Sequence, residues 1–297
     1  ITAVDGKVEL LTNPRSQPGS EGPNALYDGT YYTYREAKPG DKLENGNVIR
    51  TEPGAKAKII YDNGDQIGVG PATAFKINWS GSDKTQINMK FGKIRSIVQN
   101  NGPRKGLTIK TKTATMGVRG TDFFVSDYDE KKGTEVAVLR GSVSVKSEQK
   151  KAPPVEVKQG HVAEIQAAAP KEAEKKPAPA IAVRKTTKEE IVVIHAVSDV
   201  KKADEDEVKT KEDVKKINEL EKKAVEMTIN DIKKAQPELI SKIDTKSIAS
   251  SQDLNAVTMK ALYKEAPAAP KKDPKPFERD LDKLDYDAYD KFFRIKD

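Results

Sequence analysis

The chain has 297 residues, of which 33% are charged, 36% hydrophobic and only 6% aromatic, and it carries a net charge of +7. With no cysteine it has no disulfide scaffold, no thiol nucleophile and no Cys-ligated zinc or iron–sulfur site. No run approaches the roughly 18 apolar residues of a membrane-spanning helix. All glycines fall at or before Gly160, so the first part turns often and the rest hardly at all.

In chain order, period-two alternation and β-branched runs predict strands at Lys7–Leu11, Asn47–Thr51, Ala57–Tyr61, Gln66–Val69, Ala74–Asn78, Thr85–Phe91 and Lys93–Val98. Further strands are expected at Leu107–Lys110, Asp122–Ser126, Thr134–Leu139, Ser142–Lys146, Val155–Lys158 and Ala163–Gln166. Asp62-Asn63-Gly64-Asp65 reads as a type I′ hairpin turn. Residues 13–39 are rich in Gly, Pro, Ser and Asn and read as a long loop holding Tyr31, Tyr32 and Tyr34. The first domain is therefore taken as 1–166, followed by a Pro/Ala/Lys-rich linker over 167–189.

The remainder differs in kind. Residues 190–265 are expected to be helical: Glu190–Val200 is β-branched and fits a strand or a buried helical turn. From Asp204 to Ala235 a stripe of Val208, Val214, Ile217, Leu220, Ala224, Met227 and Ile232 predicts a long helix. Two shorter helices follow over Pro237–Ile243 and Gln252–Glu265. Residues 266–276 form a Pro/Lys spacer, and 277–297 an amphipathic helix. Phe277, Leu281, Leu284 and Phe292, with Phe293, give that last helix the format of a segment that docks into a partner's groove; folding back onto the first domain is the alternative.

The passage Thr111–Val125 (TKTATMGVRGTDFFV) resembles the signature of the FecR domain, through Ala114, Val118, Arg119, Gly120, Thr121, Phe123 and Val125. Gly6-Lys7-Val8, Gly92-Lys93-Ile94-Arg95, Leu139-Arg140-Gly141-Ser142-Val143 and Gln159-Gly160 agree with it, so the resemblance covers about residues 3–166. It implies a mainly β fold: a FecR-like solenoid or coiled β-sheet domain, here followed by a linker and a charged α-helical tail. It also implies an extracytoplasmic module, which in sigma-factor regulators senses the occupancy of an outer-membrane receptor. Unlike those regulators, this sequence shows no cytoplasmic anti-sigma region or membrane span before the domain. Read without the family, Gly117 and Gly120 bracket two turns around Val118-Arg119, Thr121 bonds a freed backbone group, and Arg119 clamps neighbouring coils.

Other chemistry is sparse. Asp62, Asn63 and Asp65 lack the later carboxylates of an EF-hand calcium loop. His161 and His195 sit in no recognisable catalytic motif and read as structural, and no nucleophile elbow, P-loop or dinucleotide fingerprint appears. Neither a metal nor a cofactor is expected, and catalysis is not. Residues 1–166 hold about 25 basic and 19 acidic groups in interleaved order, which argues against nucleic acid. Trp79 with Tyr31, Tyr32 and Tyr34 would form a sugar-stacking surface if exposed together.

The chain opens at Ile1 without an initiator methionine, read as removal of a signal peptide. The expectation is a periplasmic, non-enzymatic scaffold that binds other envelope proteins within an envelope-spanning assembly such as a motility or secretion machine. The alternatives are a sigma-regulator-like sensor and a module that binds peptidoglycan or another glycan.

Overall fold

The computed structural model describes residues 1–20, 22–80, 84–100, 106–129, 133–148, 152–166, 181–208 and 210–263. Most of the expected linker, the Pro/Lys spacer and the C-terminal docking helix with Phe277, Leu281, Leu284, Phe292 and Phe293 lie outside the described residues.

The strands run β1 (Ala3–Asp5), β2 (Val8–Arg15), β3 (Asn24–Tyr27), β4 (Thr30–Glu36), β5 (Val48–Thr51), β6 (Lys56–Ile60), β7 (Gln66–Val69), β8 (Thr73–Ser80) and β9 (Lys84–Ile97). Then come β10 (Gly106–Lys110), β11 (Ala114–Val118), β12 (Asp122–Asp129), β13 (Gly133–Arg140), β14 (Ser142–Ser147), β15 (Val155–Lys158), β16 (His161–Ile165) and β17 (Ala182–Lys185). The helices are α1 (Lys188–Ser198), α2 (Lys211–Ala235), α3 (Pro237–Ile240) and α4 (Ser251–Tyr263). The region is thus mainly β followed by helices, as the residue pattern implies.

Pairing divides the strands into two layers. The front sheet runs β3-β4-β2-β5-β8-β9-β10-β11-β14-β15 and the back sheet β1-β6-β7-β9-β12-β13-β16-β17. Strand β9 belongs to both: Lys84–Phe91 pairs in front, and Gly92–Ile97 pairs behind. The two predicted strands Thr85–Phe91 and Lys93–Val98 are therefore one strand that changes layers at Gly92. Gly92 has φ +114°, and a Cβ there would lie 2.4 Å from the Thr73 Cα, so only glycine permits the crossing. The solenoid coiling implied by the resemblance is not shown. Among the described pairings only β9–β10 is parallel, whereas stacked coils of a solenoid would pair in parallel throughout.

One core fills the space between the layers. From the front sheet come Leu10, Ile49, Phe75, Ile87, Ile109, Met116 and Val145; from the back come Ile59, Ile67, Ile94, Phe123, Val136 and Ile165. These are the inward members of alternating strands. A second cluster lies on the other side of the front sheet, where Leu11, Val48, Ala74 and Phe91 meet Ala25, Tyr27 and Tyr32.

Two turn readings are corrected. Residues 13–39 are not one loop but hold the β3–β4 hairpin, closed by Asp28 (φ 50°) and Gly29 (φ 74°), the paired positive φ values of a type I′ turn. In Asp62–Asp65 only Gly64 has positive φ (86°), with Tyr61 O accepting from Gly64 N, so the β6–β7 turn is not type I′.

Residues 182–263 form a helical arm that begins inside the expected linker, where β17 pairs with β16. Glu190–Val200 resolves as helix. Thr187 accepts from the Glu190 amide, and Glu190 accepts from the Thr187 amide, a capping box that starts α1. Helix α2 starts at Thr210, whose hydroxyl oxygen accepts from Asp213 N, and it buries Ile217, Ala224, Val225 and Ile232. Ile232 packs with Leu239, Ile243 and Leu254, tying α2 to α3 and α4.

Candidate functional site

The arm lies over the outer face of the back sheet, and the seam between them is unusually polar. Register places Gly68, Arg95, Phe124, Ala137 and Val162 in one row across β7, β9, β12, β13 and β16. The apolar end of that row, Phe124, Ala137 and Val162, packs on Ile194 of α1. At Gly68 the chain has room for nothing larger: a Cβ there would stand 2.3 Å from the Ser198 carbonyl oxygen. Two flat backbones thus meet where α1 ends.

The charged centre is Arg95. Its Nε and Nη2 donate to the two carboxylate oxygens of Asp122 at 2.9 and 2.8 Å, a bidentate pair within the sheet. The guanidinium also reaches the arm, with Nη1 3.0 Å from His195 Nδ1 and Nη2 donating as well to Asn255 Oδ1 at 3.2 Å. Asp199 stands 3.6 Å from Arg95 Nη1 and accepts from Asn255 Nδ2 at 2.7 Å. Burial opposes ionisation of Asp122, but Arg95 overrides it and holds the carboxyl below its ordinary pKa. Burial, then Arg95, push His195 below its ordinary value, favouring the neutral ring. Arg140, on the strand beside Asp122, is 6% exposed; its pKa is lowered by burial, and its Nη2 has no hydrogen-bond partner.

Further bonds continue along the seam. Lys58 Nζ donates to Glu221 Oε1 at 2.7 Å with both side chains buried, and Glu221 Oε2 accepts from Ser251 Oγ at 3.0 Å. Gln66 and Gln99 both donate to Thr228 Oγ1, and Asn100 N donates to Asp231 Oδ2. Lys58, Gln66, Arg95, Gln99 and Asn100 of the sheet side each meet a polar group of the arm. Such an arrangement fixes register between two surfaces, since either surface left bare must rehydrate its charges.

The V-R-G-T residues lie elsewhere. Ala114, Val118, Phe123 and Val125 are core residues, and Gly120 (φ 62°) makes the turn into β12 beside the Asn100 side chain. Thr121 Oγ1 donates to Arg119 O and Ser142 O, locking the β11–β12 turn to β14. Gly117 is a strand residue rather than a turn, and Arg119 is exposed, so the clamp expected there is made by Arg95 instead. His195 does have a carboxylate partner one helical turn on, Asp199 at 3.7 Å, a spacing legible in the sequence. His161 Nδ1 lies 3.0 Å from Gln159 O. Trp79 and the tyrosines are not brought together: Trp79 borders a cavity with Leu43, Ile217 and Leu220, while Tyr32 is buried in the second cluster. Among the described residues no helix is long and apolar enough to cross a membrane.

Residues 47–144 match the family model described as FecR protein. The chain carries a FecR domain. The matched stretch runs from the start of β5 into β14, so Arg95, Asp122 and Arg140 are inside the FecR domain and their helical partners are outside it. Two crystal structures of a candidate anti-sigma factor from Parabacteroides distasonis are similar to this chain at 16% identity and a TM-score of 0.39. In each case the match covers 49% of this chain and spans 62% of the length of that one. No curated protein matches the chain.

Proposed function

We propose that this protein is a non-enzymatic, extracytoplasmic sensor of the sigma-regulator type, acting by contact with another protein. What supports this reading is the placement of the FecR domain's buried charges, Arg95, Asp122 and Arg140, under a helical arm of the same chain. A seam closed by charge-assisted hydrogen bonds loses its fit abruptly when one side shifts, so partner binding at either side can be passed to the other. The proposed location is the periplasm. Deleting the gene should change transcription of a gene set under one sigma factor, and K58E should reproduce that change. An unchanged transcript profile in both strains would end the sensor reading.

The scaffold reading has its own support. Helix α4 ends at Tyr263, and the sequence beyond it holds the apolar stripe of Phe277, Leu281, Leu284, Phe292 and Phe293. On that reading the β domain and arm are a rigid base from which this stripe reaches an envelope partner. Alanine at Phe277, Leu284 and Phe292 together should then release the partner from crosslinked envelope fractions without lowering the thermal stability of the rest. Retained capture would exclude it.

A further inference from the structure

The arm covers only the back sheet, and the outward face of the front sheet from β8 to β14 stays open. Register aligns one row across five neighbouring strands: Lys76 opposite Asn88, Asn88 beside Lys110, Lys110 opposite Thr115, and Thr115 opposite Lys146. Neighbouring strands lie about 4.8 Å apart, so lysines recur along this row at about 10 Å. No carboxylate stands on the row. The adjacent row is Gln86, Thr108, Gly117 and Ser144, all short or amide side chains that leave the face flat. An open sheet face is often just solvated, but three features separate this one from a plain wet surface.

The first is the spacing itself. The second is a groove of about 740 Å³ where the row meets the β3–β4 turn, lined by Tyr27, Lys76, Asn88, Lys90, Lys110 and Asp127. The third is Asp127, which is 4% exposed and lines that groove, and whose Oδ2 has no hydrogen-bond partner. A buried carboxylate oxygen without a donor costs free energy that a ligand hydroxyl would recover. Among the described residues the acidic neighbours are Asp28, which pairs with Lys90 at 3.4 Å, Glu148, which accepts from Thr115 Oγ1 at 2.7 Å, and the exposed Glu156, opposite Ser144 at the far end of the adjacent row.

We infer that this face binds an acidic β-linked polysaccharide with one carboxylate per disaccharide, laid across the strands with its carboxylates on Lys76, Lys110 and Lys146. A β-linked disaccharide is close in length to two strand spacings, so each repeat brings the next carboxylate to the next lysine. Between the lysines, the Asn88 amide nitrogen can donate to a sugar oxygen while its Oδ1 accepts from Gln86, and the Thr115 hydroxyl, which donates to Glu148, can still accept from a sugar hydroxyl or acetamido N–H. Asp127 Oδ2 accepts a sugar hydroxyl at the groove end of the row. Nucleic acid fits less well: duplex phosphates recur about every 3.4 Å along each strand. The row also offers neither arginine nor an exposed aromatic ring for base stacking.

The test is calorimetric titration of the full chain with an octasaccharide of alternating glucuronate and N-acetylglucosamine. A neutral chitin oligomer and an oligothymidylate of similar length are the comparisons. The expected result is that the acidic octasaccharide binds and both comparisons bind at least about tenfold more weakly. The triple variant K76Q/K110Q/K146Q should lose at least about tenfold in affinity while unfolding at the parent temperature. The inference is overturned if the octasaccharide does not bind, or if the triple variant binds it as tightly as the parent. Equal binding of the oligothymidylate, lost in the same variant, overturns it too and marks a general polyanion surface.

Discussion

Asp127 shows how a single buried group makes stability depend on pH. Burial pushes its carboxyl up from 3.8 to about 7, against the donors Lys112, Thr111 and Thr134. A pKa raised in the folded state contributes stability that is present in full below the unfolded value and is lost as pH rises through 7. Urea unfolding should therefore show Asp127→Asn equal to the parent near pH 4 and more stable than it at pH 8, by a few kcal/mol. An advantage that does not grow with pH would show that Asp127 is ionised throughout. His195 has the opposite sign, since a depressed pKa removes stability as pH falls, so the two effects separate in Asp127→Asn. Arg95→Ala strands Asp122 in the seam and should cost about 3–5 kcal/mol, whereas the joint change R95M/D122L should cost much less. Equal losses in the two variants would mean that packing volume, not charge, dominates there. Neither side chain's partners are legible in the sequence: Asp127 is an Asp in an ordinary strand, and Arg95 closes the Gly92-Lys93-Ile94-Arg95 segment inside β9. Arg95's partners come from β12, α1 and α4, and Asp127's from the β10–β11 connection and β13, and no local pattern reports that.

At the scale of elements, legibility follows the range of the forces. Strands with inward alternation, such as Leu107–Lys110 and Ser142–Lys146, were readable because one face of each is buried and the side-chain period is two. Helix α2 was readable from its apolar stripe. Helix α1 was ambiguous because Ile191, Val192, Val193 and Ile194 favour strands locally, although Thr187 with Glu190 three residues on is a capping-box signal. The β3–β4 hairpin was hidden by the Gly/Pro-rich stretch before it, yet Asp28-Gly29 is the turn pair such hairpins use. The seating of α1 rests on a residue with no pattern at all, Gly68. A methyl group there would meet backbone, which cannot yield as a side-chain tip can. In Gly68→Ala the end of α1 should lift from β7. Limited proteolysis should then cut residues 181–263 several-fold faster, with the β signal in far-UV circular dichroism unchanged. Parent-like protection would mean that the remaining seam contacts, such as Lys58–Glu221 and Arg95–Asn255, hold the arm without the close fit at Gly68.

For the whole molecule, nearly the entire inter-sheet core lies within residues 1–165, so a chain ending at 166 should keep its sheets. It would lose β17 and the arm, leaving Phe124, Val162, Arg95 and Lys58 without their cover. Its unfolding temperature should fall by several degrees, consistent with a few kcal/mol of lost contacts. An unchanged temperature would show that the arm adds nothing to the stability of the domain and is held only by other contacts. By itself the sequence determined what short-range chemistry sets: the absence of cysteine chemistry, most turns, most strands, the V-R-G-T signature and the division into a glycine-rich β part and a glycine-free helical part. Only the tertiary structure decided that β9 serves two sheets through Gly92, that Arg95 rather than Arg119 is the clamped arginine, and that Lys76, Lys110 and Lys146 share one line. Each of these depends on register between strands, or on helix-to-sheet contacts, far apart in the chain. A shift of one residue would turn every side chain of a strand to the opposite face.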